Sequence, residues 1–158
     1  DLGVHYQVTD RIVIAYAGRI VEVGPTREVF ANPAHPYTRA LLSAVPVPDP
    51  TIEDTREQIL LTGDLPSPSN PPPGCRFHTR CPWRQETRCD DERPPLRVVQ
   101  IDGVDPSHRV ACHWVEQIAS GEIRPHEVAP VYVAPGDGDA GAIDDDTFTG
   151  PASVTEVI

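Results

Sequence analysis

Between Gly63 and Gly74 the chain reads GDLPSPSNPPPG, and that run limits what its middle can become. Proline locks φ and carries no amide hydrogen, so this stretch can enter neither a helix interior nor an inner strand. It is expected to run extended, polyproline-like, to a turn at Gly74. Prolines number 19 in 158 residues and hydrophobic residues make up 39 %, so the core must be small for the length. Directly after the proline run comes GCRFHTRCPWRQETRC, Gly74 to Cys89, with three of the four cysteines. A core-poor segment beside clustered thiols suggests that the thiols help hold it together.

The spacing is C-x5-C-x7-C-x22-C through Cys75, Cys81, Cys89 and Cys112. Structural zinc usually takes ligands from paired knuckles two to four residues apart, and no such pair is present. Iron–sulfur clusters are also held by four thiolates and accept wider spacings, with loops wrapping a larger cofactor. Arg76, Arg80, Arg84, Arg88, Arg93 and Arg97 surround the cysteines, and nearby cations are expected to lower thiol pKa values. A four-thiolate metal site is therefore favoured, with an iron–sulfur cluster preferred to zinc. Two disulfides, unliganded buried thiols and a mixed zinc site drawing on His78, His108 or His113 stay open.

Upstream, Arg11–Tyr16 and Arg19–Val23 read as two β-runs joined at Ala17-Gly18, a hairpin expected to extend a sheet whose other strands lie upstream. Thr26 is expected to cap a short helix through Phe30. His35-Pro36 opens a second through Ala44, with Tyr37, Leu41, Leu42 and Val45 on one face. Pro46 to Arg56 reads as a linker, Glu57–Thr62 as a short strand, Pro94–Val99 and Arg109–Trp114 as strands. Val115–Ala119 reads as a short helix stopped by Gly121.

Net charge is −11, and from Val128 onward there is no basic residue while aspartates accumulate with glycine. A disordered acidic tail over 128–158 is expected. The remainder is still mildly acidic, which argues against nucleic acid as a partner. No apolar run approaches the roughly 20 residues that span a bilayer, and the N-terminus has no signal-peptide pattern, so no direct membrane insertion and reduced thiols are expected. With no methionine, the sequence is expected to be a piece of a longer protein.

The strings DLGV, DRIVIAYAGRIVEVGPTREVF, NPAHPYTRALLSAVP, GDLPSPSNPPPGCRFHTRCP and HRVACHW resemble, in that order, the C-terminal part of the ATP-binding subunits of bacterial ABC importers for oligopeptides and dipeptides. The resemblance runs from Asp1 to about Glu122, and the HPYTRALLSAVP and GCRFHTRCP strings are its most specific parts. It implies an α+β fold. The terminal β-hairpin and helices of an ABC nucleotide-binding domain would occupy 1–45, a small irregular cysteine-rich extension 46–127, and the tail 128–158. Asp1 resembles the residue after the family's switch histidine, and His5 does not match that position. Nothing resembles a G-x-x-x-x-G-K-[ST] loop, and there is no lysine to supply one, so no catalytic residue is expected here and ATP and Mg belong to the parent protein only.

Relatives with such a cysteine set imply a [4Fe-4S] cluster on Cys75, Cys81, Cys89 and Cys112. One departure is that VVQIDGVDPSHRVACHW is longer than usual between the PLRVV strand and the histidine. The resemblance further implies a cytoplasmic subunit, peripheral on the membrane, that works with a partner ATPase subunit or second ATP-binding domain and with transmembrane permease subunits. The alternative is a self-sufficient zinc- or iron–sulfur-binding interaction or regulatory module without ATPase function.

Overall fold

The computed structural model describes residues 2–46, 51, 57–128, 133–136, 138 and 154–157. Its centre is the expected hairpin: β1 (Arg11–Tyr16) and β2 (Arg19–Pro25) pair antiparallel from Arg11↔Pro25 to Tyr16↔Arg19. Ala17 and Gly18 both have positive φ, 51° and 79°, which is the two-residue turn whose twist matches that of the flanking strands. Ile12, Ile14 and Tyr16 alternate onto the core face of β1, and the register shifts between Ile14 and Ala15, leaving Val21 of β2 as the extra residue of a bulge.

The hairpin does extend a sheet, but among the described residues its neighbours come from downstream. β3 (Arg97–Val98) pairs antiparallel with β4 (Arg109–Val110), and β4 with β2. β5 (Val154–Val157) lies parallel to β1, giving the order β3-β4-β2-β1-β5. Tail residues expected to be without structure thus include a strand, because a β-branched segment can satisfy the open backbone edge of β1. Ala134, Gly136 and Gly138 also bond to the Asn70 side chain, whereas most of the tail lies outside the described residues.

α1 (Leu2–Val8) crosses α2 (Thr26–Ala31), with the Tyr6 and Phe30 rings 5.0 Å apart. The cap expected from Thr26 is not made: Pro25 is the N-cap, and Thr26 lies inside the first turn with its hydroxyl 3.0 Å from that of Thr9. α3 (Pro36–Ser43) starts as expected, with His35 as N-cap, its Nδ1 accepting from the Tyr37 amide at 3.0 Å, and Pro36 at the first helical position. Its deepest residues are Pro36, Thr38 and Ala40, while Tyr37 and Leu41 pack half-buried against the core from the side. The burial of Thr38 and Ala40 is not indicated by the pattern of large apolar residues.

Glu57–Thr62, expected as a strand, has no ladder partner among the described residues; the Ile59 amide donates to Ser43 Oγ at 3.0 Å, and Arg80 Nε donates to Thr62 O at 3.3 Å. The Arg109–Trp114 run keeps strand geometry only through Val110, and α4 (Val115–Ser120) ends as expected at Gly121, φ 80°. One buried cluster joins Ile12, Ile14, Tyr16, Val21 and Val29 to Phe77, Trp83, Val110, Val115 and Ile118, and includes Cys81 and Cys112. Hairpin and cysteine segment therefore share a core. Phe77 is the link, its ring edge-on to Tyr16 at 5.0 Å and 5.6 Å from Tyr37.

Candidate metal centre

The cysteine segment folds by short backbone turns rather than by regular elements. The amides of His78, Arg80 and Arg84 donate to the carbonyls of Cys75, Phe77 and Cys81 at 3.0, 3.0 and 3.2 Å. Cys75 N–H donates to Cys89 O at 2.9 Å, closing the loop between the first and third cysteines. Gly74 makes this closure possible: its φ is 66°, and a Cβ there would lie 2.6 Å from the Cys89 carbonyl oxygen. Cys112 arrives from the end of β4, aligned by the Ala111 amide, which donates to Val21 O at 2.8 Å.

These loops bring all four predicted residues to one place. Cys75, Cys81, Cys89 and Cys112 line a single cavity with Phe77, Trp83, Trp114 and Ile118 as its apolar wall. All four are free thiols, so neither disulfide pairing is present. Burial pushes Cys75 and Cys112 up to about 12, Cys81 well above its ordinary value, and Cys89 upward too. The arginines were expected to lower these values; desolvation wins instead. Three of the six pair with carboxylates, Arg84 with Asp90 at 2.6 Å, Arg88 with Glu92 at 2.8 Å, and Arg97 with Glu116 at 2.5 Å, while Arg76 donates to Ala17 O and Arg80 to Thr62 O.

Backbone donors act the other way. The amides of Phe77, Trp83 and Trp114, each two residues beyond a cysteine, point to Cys75, Cys81 and Cys112 in the sense that favours the charged sulfur. The Gln85 amide does the same for Cys89. Four dry thiols with amide donors therefore become thiolates only when a cation supplies the missing charge. The cavity has ≈ 20 Å³, room for about one water and tight for a cuboidal cluster. Among the described residues no group of three or more His, Cys, Asp and Glu side chains stands ready to hold a metal ion. The donor set fits a thiolate-bound cluster in its chemistry, and occupancy requires the thiol-bearing loops to spread.

The histidines serve the scaffold. His78 Nδ1 lies 2.7 Å from Cys75 O, and His113 Nε2 lies 2.7 Å from Glu92 O. His35, also on the cavity wall, has its pKa lowered to about 3 by burial, with the Ala111 carbonyl as a second ring partner. It therefore acts as a neutral clamp between α3 and the approach to Cys112. His108 lies elsewhere, fully buried with Nε2 2.5 Å from Glu22 Oε1. Glu22 also accepts from the amides of Ala34 and His35 at 2.8 and 2.9 Å, so one buried carboxylate ties β2 to the start of α3 and to the loop before β4. Sequence reasoning missed Glu22 because it occupies the polar slot of an alternating strand, the usual mark of a solvated position.

Comparison with known proteins bears on the family and not on the thiols. Residues 21–89 match the oligopeptide/dipeptide transporter, C-terminal region, a stretch from β2 to the third cysteine. The chain is 46 % identical over 113 residues to YkfD of Bacillus subtilis, named as an oligopeptide transport ATP-binding protein, covering 72 % of this chain and 32 % of that one. To y4tS of Sinorhizobium fredii, named as a peptide ABC transporter ATP-binding protein, it is 45 % identical over 140 residues, 86 % of this chain and 37 % of the relative. To the oligopeptide transport ATP-binding protein OppF of Escherichia coli it is 56 % identical over 96 residues, 61 % and 28 % of the two chains. This chain spans about a third of the length of such relatives. These matches support a C-terminal fragment of an oligopeptide or peptide ABC transporter ATP-binding subunit.

Proposed function

We propose that the chain is the closing portion of an ATPase subunit that powers peptide import, and that its four thiols hold a structural [4Fe-4S] cluster. The parent protein would bind ATP and Mg and work with a second ATP-binding domain and transmembrane permease subunits on the cytoplasmic face of the membrane. Among the described residues no helix is long and apolar enough to cross a membrane. The observation that carries the cluster reading is the convergence of Cys75, Cys81, Cys89 and Cys112 on one apolar cavity with backbone amides directed at the sulfurs.

In this reading the bound group supplies the positive charge that four buried thiolates lack. The chain's own residues do the rest. Gly74 and the Cys75–Cys89 bond fix the loop, the amides of Phe77, Trp83 and Trp114 stabilise charge on sulfur, and Phe77, Trp83 and Ile118 exclude water. The role is to staple a segment with little core of its own. Protein purified without oxygen is expected to be brown with about four iron atoms per chain. Serine at Cys75, Cys81 or Cys89 should remove most of the iron. Colourless protein with one tightly bound zinc would overturn the cluster while keeping the thiolate site; two mapped disulfides in freshly prepared protein would overturn both.

A further inference from the structure

The turn between α2 and α3 and the segment that follows β3 line an open groove of ≈ 400 Å³, within the size range of small-molecule sites. It shares no lining residue with the cavity of the thiols. Pro33, Ile101 and Val104 give it an apolar surface, and three polar side chains join them: Arg39 from α3, His108 from the approach to β4, and Asp102. Ile101 to Val104 lie in the stretch that is longer here than is usual in the family the chain resembles, so this wall is not among the features that the resemblance carries.

Arg39 is the cation of this groove. Its α3 neighbours Thr38 and Ala40 are buried, so its stem starts deep, and its guanidinium stands over the Trp83 ring at 5.9 Å. Among the described residues that guanidinium forms no ion pair and no hydrogen bond, and Nε is buried without an acceptor. A guanidinium donates in a planar fork and stays charged at neutral pH, so the partner it lacks is an anion with two acceptor oxygens side by side. His108 adds an acceptor. Its Nε2 lies 2.5 Å from Glu22 Oε1, which leaves the lone pair of the neutral ring on Nδ1. Nδ1 is buried with no hydrogen-bond partner, 3.8 Å from Glu28 Oε1. Asp102 is exposed and brings negative charge to the lining.

We infer that this groove binds the zwitterion of a short apolar peptide, with its carboxylate on Arg39, its N–H groups served by His108 and Asp102, and its side chains against Ile101 and Val104. A carboxylate matches the guanidinium fork in shape and charge. Phosphate or a dicarboxylate would bring further negative charge to a chain of net −11, beside Asp102 and Glu28, whereas an ammonium on the same ligand offsets it. The site is separate from the thiols and needs no iron. Short peptides are also what the parent would import; that link alone rests on the reading above, and the binding does not.

The test titrates the full chain, labelled with ¹⁵N, with L-alanyl-L-leucine and follows the Arg39 Nε–H and the backbone amides of 99–104 by NMR. Saturable shifts with a Kd of about 1 mM or tighter are expected. L-alanyl-L-leucinamide, which lacks the carboxylate, should bind at least about tenfold more weakly, the loss of a hydrogen-bonded charge. Arg39→Gln should weaken the free peptide by a similar factor and leave the amide as it was. N-acetyl-L-alanyl-L-leucine, which keeps the carboxylate and lacks the ammonium, should bind more weakly than the free peptide. Equal or tighter binding of the acetylated form would assign the groove to simple carboxylates and overturn the peptide assignment. No saturable shift by about 20 mM, or equal binding of the free peptide and its amide, overturns the site itself and leaves the importer and cluster readings standing. If Arg39→Gln does not fold, the three ligands on the unaltered chain decide alone.

Discussion

Glu22 is the residue on which most of the fold's polar accounting converges. Fully buried, it meets the ring of His108 and the amides of Ala34 and His35, so that three segments depend on one carboxylate. Truncation leaves His108 and two amides buried without an acceptor. Glu22→Ala is therefore expected to lower unfolding free energy by about 3–5 kcal/mol, the range for breaking one side of a buried pair, measured by urea denaturation. A loss below about 1 kcal/mol would mean that water replaces the carboxylate. The Arg97–Glu116 pair, part-exposed, makes a gentler prediction. The Arg97 guanidinium holds the Glu116 carboxyl down to about 2, from an ordinary 4.5. A depressed folded pKa contributes stability that is fully present above the unfolded value and disappears as pH falls through the folded one. Glu116→Gln should therefore flatten the loss of stability between about pH 4.5 and pH 2, with a small effect because solvent screens the pair. Equal acid sensitivity of the two proteins would show that the pair contributes nothing.

At the scale of elements, the hairpin and α3 are self-announcing. Two β-branched runs with a glycine turn, and His-Pro before an amphipathic run, state their structure locally. The cysteine loop does not, because it has no period. Its conformation depends on Gly74 passing close to the backbone of 89–91, where an added Cβ would meet Cys89 O at 2.6 Å and Asp90 C at 2.8 Å. Gly74→Ala is expected to part the Cys75 and Cys89 segments and, under the proposed cluster reading, to reduce bound iron at least as much as loss of one cysteine, with the hairpin still folded by circular dichroism. Retention of full iron by that variant would mean that the loop reaches its cofactor by another path. Gly18, also at positive φ, would meet only the far end of Arg76 at 3.3 Å, so its substitution should be the milder of the two.

For the whole molecule, the decisive feature is a single buried cluster running from Ile12 and Tyr16 through Phe77 and Trp83 to Val110 and Ile118. The piece that resembles a nucleotide-binding domain and the piece that carries the cysteines exclude water together. They are expected to unfold in one transition, with far-UV circular dichroism, weighted to the sheet and helices, coinciding with fluorescence from Trp83 and Trp114 beside the thiols. Under the proposed cluster reading, removing iron should lower that common midpoint, since the binding free energy of a small site is folding free energy. Two separated transitions would instead mark the cysteine segment as an independent unit docked on the hairpin.

The chain's sequence by itself determined the hairpin and its turn, the His35-Pro36 helix start, and the Gly121 stop. Each of these follows from residue chemistry acting over a few positions. Only the tertiary structure decided that Glu22 is a buried hub, that Glu57–Thr62 finds no strand partner among the described residues, and that burial outweighs the arginines at the thiols. The reason is the same in each case. Burial and partnership at these positions are set by groups many residues away, and the desolvation that raises the cysteine pKa values exists only once Phe77, Trp83, Trp114 and Ile118 have closed around them.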